Sequence, residues 1–190
     1  MRITTILALS LLLPTLSLGE GHAGPSEKRL PLPKELQGST IPDFNVRAID
    51  NETEFSRKNL ADEAKRLGAK RVIFSFFATW CENCAIEFVK LKENSARLKE
   101  KGVLVYLIDV GEKIMQKGDK VKEFVSQYAG DAFPFYFNQN LSLLKNFGII
   151  EQSATGGELP VIVVMDANLK ALAVFTKAGN DFPQVLWEDL

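Results

Sequence analysis

Arg71-Val-Ile-Phe-Ser-Phe-Phe-Ala-Thr-Trp-Cys-Glu-Asn-Cys84 is the stretch that decides how this chain of 190 residues folds. Arg71 to Ala78 is mostly apolar on both faces, the pattern of a central strand covered from two sides. Trp80-Cys81-Glu82-Asn83-Cys84 follows at once and holds the only 2 cysteines of the chain. An amphipathic segment comes next. The reading is a strand, a short turn, and a helix that begins at the first cysteine. A dithiol in that position can open and close as a disulfide, which points to redox chemistry rather than to a structural staple.

The flanking segments read as alternating strands and helices. Towards the N-terminus, Ile41 to Ala48 alternates apolar and polar residues and suits a strand. Asp50-Asn51 signals a turn, and Glu54-Phe55-Ser56 returns as a second strand, which makes an N-terminal β-hairpin. Asn59 to Leu67 has helical character and stops at Gly68. Towards the C-terminus, Glu82 to Lys99 is expected as one helix, with Ile86, Val89, Leu91 and Leu98 on or near one face. Val103 to Asp109 is a second buried strand. Gly111 to Gly118 reads as a polar loop, and Asp119 to Tyr128 as a helix. Phe135 to Phe137 is a short strand or loop edge, and Leu141 to Phe147 a short helix. Val161 to Met165 and Leu172 to Phe175 are strands joined by a turn at Asp166-Ala-Asn168. Phe182 to Leu190 is expected to form a closing helix. Helices alternating with buried strands, then a hairpin, predict an α/β fold with a mixed central sheet and helices on both faces.

Composition narrows the class. Hydrophobic residues make up 46% and charged residues 25% of the chain, as in an ordinary soluble globular domain. The net charge of -1 leaves nucleic-acid binding without electrostatic support. Met1-Arg2, the apolar run from Ile3 to Leu18 and the small residues of Gly21-His22-Ala23 read as a signal peptide over 1–23, cleaved after Ala23. An uncleaved anchor is the competing reading, although the run is shorter than the roughly 20 apolar residues a span needs. Residues 24–40, rich in Pro, Gly and charge, read as a linker, which leaves 41–190 as the folded domain. The protein is expected to be exported to the periplasm, or anchored to the membrane and facing it. Disulfides persist in such a compartment. A reductant working there must receive its electrons from elsewhere.

The cysteine spacing assigns roles. Thiolate, not thiol, attacks a disulfide. Cys81 at the start of a helix lies where unpaired N–H groups and the helix dipole favour negative charge. Cys84 lies one turn on, on the same face. Cys81 is therefore the expected nucleophile and Cys84 the resolving thiol. Glu82 sets a carboxylate beside Cys81 and opposes the thiolate, and Asn83 is neutral. These two tune the pair towards reducing rather than strongly oxidising. A closed zinc site needs two more ligands, and the only His, His22, falls within the expected signal. No metal and no cofactor are expected. Glu87 lies three residues past Cys84 and near its face, where spacing alone favours a solvated helix charge.

Phe76-Phe-Ala-Thr-Trp-Cys-Glu-Asn-Cys84, Ile41-Pro-Asp-Phe44 and Glu87 together resemble the exported TlpA/ResA-like thiol–disulfide oxidoreductases of the thioredoxin-like superfamily. The resemblance covers roughly Ile41 to Gly179. It implies a thioredoxin-like fold, and it implies that Glu87 shuttles a proton for Cys84. It also implies that Leu159-Pro160 forms a cis-proline loop facing the dithiol and, with Trp80, binds substrate. Protein disulfides, apocytochrome c among them, are the implied substrates, and a membrane thiol transporter the implied electron donor. Asn83, Phe88-Val89 and Leu159 depart from the usual Pro, Pro-containing and Thr patterns, which bears on the partner more than on the chemistry. The competing readings are a disulfide-forming oxidase and a Sco-like copper module. The latter uses a Cys-x-x-x-Cys pair and a His that the mature chain lacks.

Overall fold

A computed structural model describes residues 28–38, 40–48, 53–112 and 114–176. The expected signal segment and the helix expected over 182–190 lie outside them.

The apolar run around Ile73 forms β4 (Arg71–Phe77), and the later run forms β5 (Val103–Asp109). The two pair in parallel, Phe74 opposite Tyr106 and Phe77 opposite Asp109. On the other side β4 pairs antiparallel with β7 (Val161–Asp166), which pairs antiparallel with β8 (Ala171–Thr176). Beyond β5 lies β6 (Phe135–Phe137), in parallel, followed by the hairpin of β2 (Asn45–Ala48) and β3 (Glu54–Ser56). With β1 (Lys28–Leu30) on β8, the 8 strands run β1-β8-β7-β4-β5-β6-β2-β3 in one mixed sheet.

Two sites of local chemistry fix the helices around the sheet. Ser56 caps α1 (Arg57–Arg66) with a reciprocal box: Asn59 N–H donates to Ser56 Oγ at 3.4 Å, and Ser56 N–H donates to Asn59 Oδ1 at 2.9 Å. The helix expected over 82–99 is two helices, α2 (Glu82–Glu93) and α3 (Ser95–Glu100). Asn94 breaks it. The Asn94 backbone leaves the helical region, and its side-chain amide donates back to Lys90 O at 2.9 Å, the local side-chain competition for which Asn is disfavoured inside helices. α4 (Ile114–Tyr128) begins inside the stretch expected as a loop, and α5 is Ser142–Asn146.

The expected linker is corrected in part. Lys28–Leu30 adds a strand to the edge of β8, and Leu36 in the following 3-10 turn is fully buried. An open strand edge exposes unpaired backbone groups, and a short returning segment covers them. Arg29 also lies over the ring of Phe175, 5.9 Å from its centroid. A strand of three residues has no periodicity to read.

Side chains alternate across β4 and divide the core. Phe74 and Phe76 face an aromatic layer with Phe44, Phe55, Tyr106 and Phe147, beneath Leu60 and Ala64 of α1. Ile73 and Phe77 face the second layer with Cys84, Phe88 and Leu91 of α2 and Val121 and Val125 of α4. Ser75, fully buried, shares that second face by strand alternation.

Candidate active site

The dithiol stands where β4 ends and α2 begins. The chain turns tightly through Ala78, Thr79 and Trp80, and Cys81 N–H donates to Ala78 O at 3.0 Å. Gly111, at the end of β5, packs directly under this turn. A Cβ at 111 would collide with that of Ala78 and come within 3.1 Å of Trp80 Nε1, so only glycine fits the approach.

Cys81 is the N-cap of α2, and its Sγ accepts the N–H of Cys84 at 3.2 Å. The two sulfurs form a disulfide of 2.04 Å. Cys81 keeps 6% of its surface exposed and Cys84 none. An incoming group can therefore reach only the first sulfur. Trp80, 65% exposed, stands beside it. Glu82 and Asn83 are exposed on the first turn of the helix.

The buried positions of α2 are Cys84, Glu87, Phe88 and Leu91. This corrects the expected face: Ile86 and Val89 are 45% and 39% exposed. Burying Cys84 turns the helix so that 87, 88 and 91 follow it inward at helical spacing. Glu87 thus occupies a core position, and its Oε1 accepts the hydroxyl of Ser75 at 2.6 Å. Ile86 instead lines a cleft of about 560 Å³ with Trp80, Cys81, Lys120, Phe124 and Tyr128.

Leu159-Pro160 carries the one cis peptide bond among the described residues. Pro160 is buried and Leu159 half-buried. A groove of about 480 Å³ runs between Leu159 and Trp80, floored by Val110 and Gly111 and flanked by Leu141 and Lys145. The dithiol is therefore bordered on both sides, by the Leu159 groove and by the Ile86 cleft.

Two buried acids at this site escaped the sequence reading. Asp109, fully buried, and Glu112, 5% exposed, lie at the end of β5 and in the loop after it. Asp109 Oδ1 accepts the N–H of Gly111 at 3.2 Å. Glu112 Oε1 accepts both the N–H of Thr79 at 3.1 Å and its hydroxyl. Burial first, then the neighbouring Glu112 carboxyl, pushes the Asp109 carboxyl up to about 9. The available signal was an acid ending an apolar strand, with another acid after Gly111.

A disulfide capping the helix after a central strand, next to a cis-proline loop, defines a thioredoxin-like fold with a Cys-x-x-Cys centre. The chain belongs to the Redoxin family, whose model matches residues 36–185. It is 30% identical over 135 residues to the thiol-disulfide oxidoreductase ResA of Bacillus thuringiensis (strain Al Hakam), covering 71% of this chain and 66% of that protein. The match thus spans just under two thirds of that relative's length. Among solved structures, a putative thiol:disulfide interchange protein DsbE from Chlorobium tepidum superposes with a TM-score of 0.59 at 20% identity, covering 80% of this chain and 92% of that one. A secreted Mycobacterium tuberculosis disulfide oxidoreductase homologous to E. coli DsbE gives 0.50 at 17% identity, covering 71% and 83%. At these identities the structures carry the shared fold.

Proposed function

We propose that this protein is an exported thiol–disulfide oxidoreductase that reduces disulfides in protein substrates through Cys81 and Cys84. The observation that carries the reading is the unequal burial of two bonded sulfurs at a helix start. The kinship with ResA supports it.

In the reduced protein the Cys81 thiolate attacks one sulfur of a substrate disulfide. A mixed disulfide forms and the substrate's other sulfur leaves as a thiolate. Cys84, deprotonated, then attacks Sγ of Cys81. The Cys81–Cys84 disulfide forms, and the substrate leaves with two thiols, having gained two electrons and two protons. Glu87, buried one turn after Cys84 on the same face, is the base that takes the Cys84 proton. An extended substrate strand lies along Leu159-Pro160 in the groove beside Trp80 and pairs with the exposed backbone there. Glu82 and Asn83 keep the couple reducing. A membrane thiol donor restores the dithiol, and apocytochrome c is the substrate that the resemblance favours. Residues 1–23 act as the export signal, in keeping with the secreted relative from M. tuberculosis.

Trapping tests the reading. With Cys84→Ala, mixed disulfides on Cys81 accumulate with physiological substrates in extracts of the exported fraction and vanish with Cys81→Ser. No adduct with either form would sink the proposal. A reduction potential above about −180 mV, the protein disulfide isomerase value, would reverse its direction from reductase to oxidase.

A further inference from the structure

We infer that Asp109 and Glu112 hold one proton between them, and that this pair is a pH-sensitive clamp positioning the turn that carries Trp80 and Cys81. Three observations meet here. Both side chains are buried, and Asp109 Oδ2 and Glu112 Oε2 have no hydrogen-bond partner. Glu112 is committed to the turn through two bonds to Thr79. Asp109 is anchored by the Gly111 N–H, and Gly111 itself abuts Ala78 and Trp80. Two neighbouring carboxylates within one buried site cannot both be charged without strong repulsion. One proton turns the repulsion into a hydrogen bond, with Asp109 as donor and Glu112 as acceptor. Glu112 Oε1 is then left to accept the Thr79 N–H and hydroxyl.

The surrounding charges leave this arrangement in place. From α2, Glu87 is held on Ser75 of β4, two residues before the register partner of Asp109. From α4, Lys120 and Glu123 line the cleft on the other side of Thr79. From α5, Lys145 lines the groove that Glu112 also touches. Cys81 is closed in the disulfide and carries no charge. When the shared proton leaves at alkaline pH, the two acids repel, Glu112 releases Thr79, and the Trp80–Cys81 turn loses its lower anchor. Glu112 is a positioning residue and Asp109 its proton-bearing partner. The consequence for turnover rests on the proposed role of Cys81, whereas the clamp itself does not.

The Thr79 amide proton reports the clamp directly. It is followed by NMR in the oxidised full chain as pH is raised from 5 to 10. The wild type shifts with a midpoint near 9, the value about which Asp109 titrates. Asp109→Asn offers Glu112 a donor that cannot be lost, and Glu112→Gln offers Asp109 one. In both variants the alkaline step disappears while Thr79 stays in its bonded position. A wild-type step in the ordinary carboxylate range, or an alkaline step that persists in Asp109→Asn, overturns the inference. In parallel, disulfide exchange with a peptide disulfide loses rate across the same midpoint in the wild type, and that loss is absent in Asp109→Asn. No exchange in any form, with the Thr79 titration intact, refutes the role of Cys81 and leaves the clamp standing.

Discussion

The two faces of the central sheet are built from the same strands to opposite ends. On one face Phe74 and Phe76 of β4 meet Tyr106 and Phe147 in a layer of rings, with centroids 6.0 to 6.5 Å apart for Phe74–Tyr106, Phe74–Phe147 and Phe76–Phe147. The Tyr106 hydroxyl in this layer donates to Glu63 at 3.0 Å, where burial and then the Glu63 charge push the phenol up. On the other face the same strand presents Ser75 to a buried glutamate, and the next strand ends in a buried aspartate. Burying ionisable groups costs free energy unless they are paired and hydrogen-bonded. The protein therefore concentrates its costly groups behind the dithiol and leaves the far face to hold the fold. Stability and chemistry are separated by the alternation of a single strand.

The largest effect that tests this division is on the aromatic face. Phe74 is fully buried and touches the rings of Phe44, Phe76, Tyr106 and Phe147. Phe74→Ala should cost about 3–5 kcal/mol, read by urea unfolding of the oxidised protein, with disulfide exchange per folded molecule unchanged. A matching loss of exchange would break the division. Next is the chemical face. Glu87→Gln keeps an acceptor for the Ser75 hydroxyl and removes the proposed base. It should slow resolution of the mixed disulfide by about 10²-fold, measured by stopped-flow, with the midpoint of urea unfolding nearly unmoved. If instead the fold weakens and resolution keeps its rate, Glu87 is a packing residue.

The third effect is a change of slope rather than of level. Asp109 titrates higher in the folded protein than in the unfolded chain, from 3.8 to about 9. Between those values the folded state holds the extra proton, so its stability falls as pH rises through that window. Asp109→Asn should flatten the dependence, gaining on the wild type as pH rises from 5 to 9. Thermal unfolding across that range measures it. An unchanged slope would move the titrating group elsewhere.

The parts of the molecule that were legible before any coordinates are those with strong local signals. The run into β4 combines apolar residues broken only by Ser75 with the only two cysteines, so strand, turn and helix start follow from composition alone. The hairpin of β2 and β3 and the pair β7–β8 announce themselves through alternation and turn residues. The α2 face was misread because its apolar residues at 86 and 89 look like core while a glutamate takes the inward place. Helical periodicity counts apolar residues, and a buried acid in the core removes one from the count. β1 was hidden because three residues carry no period and the edge of β8 selects them. Asp109 and Glu112 were hidden for a different reason. Their meeting depends on the register that puts Phe77 opposite Asp109 and brings the next loop under Thr79, which only the assembled sheet supplies.

The bond from the Cys84 amide to Cys81 Sγ has a spectroscopic consequence. In the proposed reaction the attacking sulfur is also the cap of the first turn of α2. Each stage of turnover, whether thiolate, mixed disulfide or closed disulfide, presents that amide with an acceptor of different charge and crowding. The Cys84 N–H resonance is thus a gauge wired to the reacting atom. A single backbone signal, followed in real time, reads out which of the three states the protein occupies, with no label on the substrate and no second probe.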